Sequence, residues 1–287
     1  MSHLNSVAIA PSYSRSAWEA ELHLGFARRD GRSILKHRHH RGPLVIQKVL
    51  YPENDSVCHA IILHPPGGLA GGDKLQISIT AEAEAHALLT TPGAGKWYKA
   101  NGASASQHLN INVADGAIVE WLPQESIVYD AAEAEWRSRV DLAATAHYAG
   151  WEIVCLGRMA RGEKFCQGQL KQHLEIYRSG RLIWGEHVNL RGNDRLLTSA
   201  AGLRSYPVYA TFVVAAGAIP AELLQQCRDV AAPENGSGCV TALPELFVGR
   251  YIGNSTQSAR LYFEALWQQL RPWYAQTPAQ RPRIWNT

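Results

Sequence analysis

Apolar and polar residues alternate with a period of two through most of the first 190 positions. In residues 107–113, Leu109, Ile111 and Val113 fall on one side and His108, Asn110 and Asn112 on the other. That pattern predicts a strand with one buried face. Similar segments lie at 44–50, 57–63, 75–79, 117–121, 151–156, 170–177 and 182–190, divided by glycine, proline and asparagine. No helix-period stretch separates them, which predicts a large antiparallel β-sheet or β-helix-like body rather than βαβ units. The period then changes. Leu223, Leu224, Cys227 and Val230 recur at helical spacing after Pro220 and predict a helix near 219–231. A second helix is expected near 256–271, capped by Ser255 or Thr256. Ala259, Tyr262, Phe263, Leu266, Trp267 and Leu270 share one of its faces, and Pro272 is its stop. The expected fold class is therefore mainly β with two C-terminal helices alongside. Residues 1–16 read as a flexible tail and 17–287 as a single domain.

Composition narrows the function classes. Hydrophobic residues make up 46% of the 287 positions and charged residues 18%, which excludes a disordered chain. The net charge is +3, and no face concentrates it as nucleic-acid binding requires. No apolar run reaches the roughly 18 residues of a membrane span, and the first residues lack a signal-peptide pattern. Cys58, Cys155, Cys166, Cys227 and Cys239 are an odd set without C-x-x-C spacing, so neither a zinc ribbon nor a disulfide framework is expected. A cytoplasmic, reduced protein follows, with no nucleic-acid or membrane partner. The low charged fraction, with nine Trp against five Phe, predicts broad contact surfaces for protein partners. The run Lys36, His37, Arg38, His39, His40, Arg41 reads as a solvated loop, with metal binding by its three histidines as the sharper alternative.

Two glycine-rich loops dominate the candidate chemistry. The first, 64–73, runs from His64 through Gly67, Gly68, Gly71 and Gly72 to Asp73, expected as an exposed charge at its end. Four glycines in six residues permit close backbone approach to an anion or another chain. The second, 90–98, contains Gly95-Lys96, but Thr90 and Trp97 occupy the places where a phosphate loop needs glycine and a hydroxyl residue. No G-x-S-x-G nucleophile elbow exists. Glu120, Glu125, Glu152, Glu163 and Glu186 stand in or beside apolar strands, where a carboxylate is paired, neutralised or lining a wet cavity. A hydrolytic enzyme using a Cys–His or carboxylate pair in a β cavity stays open on these residues alone.

Six motifs in order carry a resemblance over nearly the whole chain from about Trp18. They are His64-Pro65-Pro66-Gly67-Gly68 with Gly71-Gly72-Asp73; Thr91-Pro92-Gly93-Ala94; Lys96-Trp97-Tyr98; Glu120-Trp121-Leu122-Pro123-Gln124-Glu125; Leu156-Gly157-Arg158 with Gly162-Glu163; and Pro282-Arg283-Ile284-Trp285. Together they resemble the urease accessory protein family UreD, also called UreH. The resemblance implies a non-enzymatic assembly factor, mostly β with a pair of helices. Such a factor binds the urease apoprotein, recruits UreF and the GTPase UreG, and forms a dimer of heterodimers with UreF. It implies no permanently bound cofactor, only nickel in transit through an internal tunnel. Asp73, Glu152 and Glu186 match the acidic positions of that path, with His64 and His187 as helpers. Gly95 departs from the family pattern, standing where relatives often carry serine.

Overall fold

The computed structural model describes residues 17–231 and 235–286. The expected tail, 1–16, lies outside the described residues. In chain order the strands are β1 Glu19–Arg29, β2 Arg32–Arg41, β3 Val45–Leu50, β4 Cys58–Leu63, β5 Lys74–Ala81, β6 His86–Thr90, β7 Gly95–Trp97, β8 Ala105–Val113 and β9 Ile118–Trp121. There follow β10 Ser126–Val128, β11 Ala132–Leu142, β12 His147–Leu156, β13 Gly168–Arg178, β14 Arg181–Arg191, β15 Val208–Ala215, β16 Gly236–Leu243 and β17 Leu246–Gly253. The helices are α1 Ala221–Asp229 and α2 Thr256–Ala275.

The strands form two facing sheets. One has the order β14-β13-β11-β8-β5-β1-β2, the other β16-β17-β15-β12-β9-β6-β4-β3, with β7 and β10 attached beside β12. From β4 to β13 the chain crosses repeatedly between the sheets, as in a solenoid. Every strand predicted from alternation is present, and the mainly β class with two helices holds. The expectation of antiparallel pairing is corrected for the middle of both sheets. There β5, β8, β11 and β13 run parallel, as do β4, β6, β9 and β12. Antiparallel pairs occupy the flanks. Parallel neighbours need a crossover, usually a helix. Here a strand of the opposite sheet supplies it, so the missing helical segments did not exclude parallel pairing.

Between the sheets, inward side chains stack in register. Ile77 lies beside Leu109, and Ile79 beside Ile111 and then Val140. All are buried. On the far side of the second sheet, α1 and α2 cover a distinct core around Trp151. The Trp151 ring meets Phe212 at 5.5 Å and Trp285 at 5.5 Å, and its indole N–H donates to the Pro123 carbonyl at 2.8 Å. Trp97, Trp121, Trp136, Trp151, Trp267 and Trp285 are all buried. The tryptophan excess thus serves mainly the two cores, correcting its expected role in contact surfaces.

The Ser255 hydroxyl caps α2 by accepting from the Ser258 N–H at 3.1 Å. Ser255→Ala is expected to cost about 1 kcal/mol in chemical denaturation. The expected stop at Pro272 is corrected, because α2 runs through it to Ala275. Pro272 and Gln268, four residues earlier, are both exposed, so water can satisfy the carbonyl that loses its donor, while buried Tyr274 holds the last turn. The histidine run is also corrected from loop to strand: it forms β2, an exposed edge paired with β1.

One polar network fastens α2 to the second sheet. Arg271, fully buried, donates from Nε to Glu120 Oε1 at 2.9 Å and from both terminal nitrogens to the Glu53 carboxylate at 2.6 and 2.9 Å. His86 Nε2 lies 3.0 Å from Glu120 Oε1, and His59 Nε2 2.7 Å from Glu53 Oε1. Burial alone would raise the Glu120 pKa, but Arg271 and then His86 outweigh it and hold it at about 2.

Candidate functional site

The two glycine-rich loops meet. Leu69 N–H donates to the Lys96 carbonyl at 2.7 Å, and Tyr98 N–H to the Leu69 carbonyl at 2.8 Å. A side chain at Gly68 would overlap the Tyr98 ring at 2.6 Å, and Gly72 adopts φ 91°, a conformation that favours glycine. Asp73 is buried rather than exposed, correcting its expected position. Its Oδ1 accepts from the Trp18 N–H and its Oδ2 from the Ala70 N–H, both at 2.8 Å. A carboxylate committed to two backbone donors shapes the loop. Asp73→Ala leaves both donors unpaired and is expected to cost about 2–3 kcal/mol, read by thermal unfolding, before any effect on metal handling.

Between the loops and the β9–β12 region lies a cavity of about 470 Å³, lined by His64, Lys96, Trp121, Ser126 and Glu152 among others. The His64 Nε2 is buried there without a partner. Burial lowers the His64 pKa, with Asp73 opposing, so a neutral ring is favoured. Gly95 also lines the cavity, and a Cβ placed on it would stand 3.6 Å from the Ser126 hydroxyl. A hydroxyl thus stands beside Gly95 although glycine itself carries none.

Glu152 reaches this cavity by the alternation of β12. Trp151 and Ile153 join the helix-side core, whereas Tyr148 and Val154 face the other sheet with Glu152 between them. Trp121 donates its indole N–H to Glu152 Oε1 at 3.4 Å. Burial first, and the charge of Glu186 second, raise the Glu152 pKa to about 7. Glu186 projects inward from β14. Its Oε1 accepts from Thr211 Oγ1 at 3.2 Å and from Arg250 Nη1 at 2.6 Å. Glu152, Thr211 and Arg250 are consecutive neighbours across β12, β15 and β17. A smaller cavity of about 220 Å³ adjoins Glu186, Tyr209, Thr211 and Arg250. Tyr209 is held far from ionising by burial and by both carboxylates, and donates its hydroxyl to Gln172 Oε1 at 3.0 Å.

The structure therefore brings His64 and Glu152 into one cavity, with Glu186 beyond Glu152 along a polar row that reaches solvent at Arg250. Asp73 stands behind His64 as a loop fastener. His187 is not brought in: successive strand residues point to opposite faces, so an inward Glu186 sends His187 outward, where its side chain is 59% exposed. Sequence reasoning missed Thr211, Arg250 and Tyr209. The run Val208–Ala215 is apolar except for Tyr209 and Thr211, a signal that identifies them as inward polar groups only once the pairing is known.

The remaining carboxylates divide among the expected fates. Glu120 is paired with Arg271, Glu163 with Arg158, and Glu125 lies 3.6 Å from Arg260. Burial pushes the Cys155 and Cys227 thiols up to about 11, the opposite of what an activated nucleophile needs. Among the described residues no helix is long and apolar enough to cross a membrane.

Residues 19–286 match the family model described as UreD urease accessory protein. The chain is 51% identical over 276 residues to the urease accessory protein UreD of Methylobacillus flagellatus, covering 96% of this chain and 97% of that relative. It is 48% identical over 280 residues to the UreD of Dechloromonas aromatica, covering 96% and 97%. It is 48% identical over 271 residues to that of Pseudomonas fluorescens strain Pf-5, covering 94% and 96%. With similarity of this depth along almost its whole length, the chain belongs to the UreD urease accessory protein family.

Proposed function

We propose that this chain is a maturation factor for urease, acting as a scaffold that binds the urease apoprotein with UreF and UreG and helps insert nickel. Nickel is cargo in this reading, carried between the sheets past His64, Glu152 and Glu186. The observation that carries it is that Glu152 lines one cavity and Glu186 the next, with Thr211 bonded to Glu186 and Tyr209 in the field of both carboxylates. Separated single carboxylates suit an ion that must bind and then leave, because Ni²⁺ accepts carboxylate and imidazole while a dense cage would retain it. Among the described residues no group of three His, Cys, Asp or Glu side chains forms such a cage. Glu152, with a pKa near neutrality, can release its proton as the divalent cation arrives, so that the local charge rises by one unit rather than two.

The test is to express the urease structural subunits and the other accessory proteins in cells with and without this chain, then measure nickel per purified active site. Nickel-poor, inactive urease only when the chain is missing supports the reading. Equal nickel in both samples overturns it.

A further inference from the structure

Seven histidines lie on strands of the seven-stranded sheet, and six of them, His23, His37, His39, His108, His173 and His187, stand at positions facing away from the core. Two of them stand directly opposite each other at one end. His173 on β13 pairs with His187 on β14, and their rings stack with centroids 4.5 Å apart and 10° between planes. Glu175, two residues along the same face from His173, places Oε1 3.9 Å from His187 Nε2.

We propose that the His173–His187 pair is an exposed binding site for a borderline divalent cation of the Ni²⁺, Cu²⁺ or Zn²⁺ class. Directly opposed residues of an antiparallel ladder have Cβ atoms about 5 Å apart. Two nitrogens bound side by side to one such ion lie about 3 Å apart, so rotation of the two rings brings them to a common ion. The donor set, two imidazoles with a carboxylate in reach, selects borderline metals over Mg²⁺ or Ca²⁺. His173 is half-buried on β13, its ring laid against that of His187. Arg137, its neighbour across β11, is paired with Glu135 at 2.7 Å, which offsets the repulsion of an incoming cation.

The site is open rather than caged. No three donors converge among the described residues, so water completes the coordination and exchange is fast. A looser counterpart stands at the other end of the sheet, where His23 opposes His39 with ring centroids 5.9 Å apart at 38° and Glu21 Oε2 3.9 Å from His23 Nε2. The tighter stacking favours the His173 pair as the stronger of the two. The inference concerns the outer face of the sheet and does not rest on transit past Glu152 and Glu186.

The experiment measures Ni²⁺ by equilibrium dialysis and Cu²⁺ by electron paramagnetic resonance on the purified full chain and on His173→Ala, His187→Gln and His108→Ala variants, His108 being an exposed histidine of β8 outside both pairs. Circular dichroism checks the fold of each, and His187→Gln serves if His173→Ala fails to fold. The expected result is that either change in the pair removes one Ni²⁺ equivalent and the copper signal with two nitrogen ligands, while His108→Ala keeps both. Unchanged stoichiometry and signal in folded His173→Ala or His187→Gln would overturn the proposal, as would the same loss in His108→Ala.

Discussion

Replacing Arg271 by Ala is expected to destabilise the protein by about 3–5 kcal/mol, because it strands two buried carboxylates in a site built around one guanidinium. Glu120 would keep only His86 and Glu53 only His59, and one Glu120 oxygen already has no hydrogen-bond partner. The Pro278 carbonyl also loses its donor, so the segment after α2 loosens along with the helix. A loss of this size lowers the melting temperature by roughly 10 °C. The pH dependence identifies the cause. Glu120 is held at about 2 against an ordinary 4.5, so its contribution is complete above pH 4.5 and is lost as the pH falls towards 2. Urea unfolding at pH 7 and pH 3 should show the deficit of Arg271→Ala shrinking at the lower pH. An equal deficit at both would assign the loss to packing against Trp267, over whose ring the guanidinium lies at 5.1 Å.

Glu152→Gln is expected to move stability the other way while impairing metal handling. The Glu152 pKa is raised from 4.5 to about 7, so the unfolded chain gives up this proton before the folded one does. The folded state therefore loses stability as the pH rises from 4.5 to 7, and the cost is constant beyond that. Gln is neutral, nearly isosteric, and can still accept from the Trp121 indole. At pH 8 the variant should be about 1–2 kcal/mol more stable than the unaltered protein, the gain vanishing below pH 4.5. If nickel passes this position, urease matured with Glu152→Gln carries less nickel even though the variant is the more stable protein. A stable variant that delivers nickel normally would leave Glu152 without a transport role. A buried charge retained at a cost to stability is what a functional position leads one to expect.

The sequence by itself determined many of the alternating strands and the amphipathic face of α2, although the alternating β1 and β11 were not read from it. A half-buried strand and a covering helix each write their burial as a period, and 107–113 and 256–271 carry those periods without interruption. Strands buried on both faces, such as β6 and β15, carry little period and were not anticipated. The inward Glu152 and the glycine loops were legible as anomalies, a carboxylate among apolar residues and more glycines than a turn needs. Their meeting in one cavity was not, because it depends on which strands become neighbours. Parallel pairing was likewise hidden, since a crossover made by a strand of the opposite sheet has no local signature.

Only the tertiary structure separated the carboxylates. Glu120 and Glu152 read alike along the chain, yet Arg271, 151 residues from Glu120, makes the first a permanent charge, while burial beside Glu186 leaves the second poised near neutrality. It also sent Glu186 inward and His187 outward, and turned the histidine-rich run into an exposed edge strand. Local periodicity reports which side of an element is buried. What a charged side chain meets there is decided by long-range packing, because an ionised group takes its pKa from the neighbours that the fold brings to it.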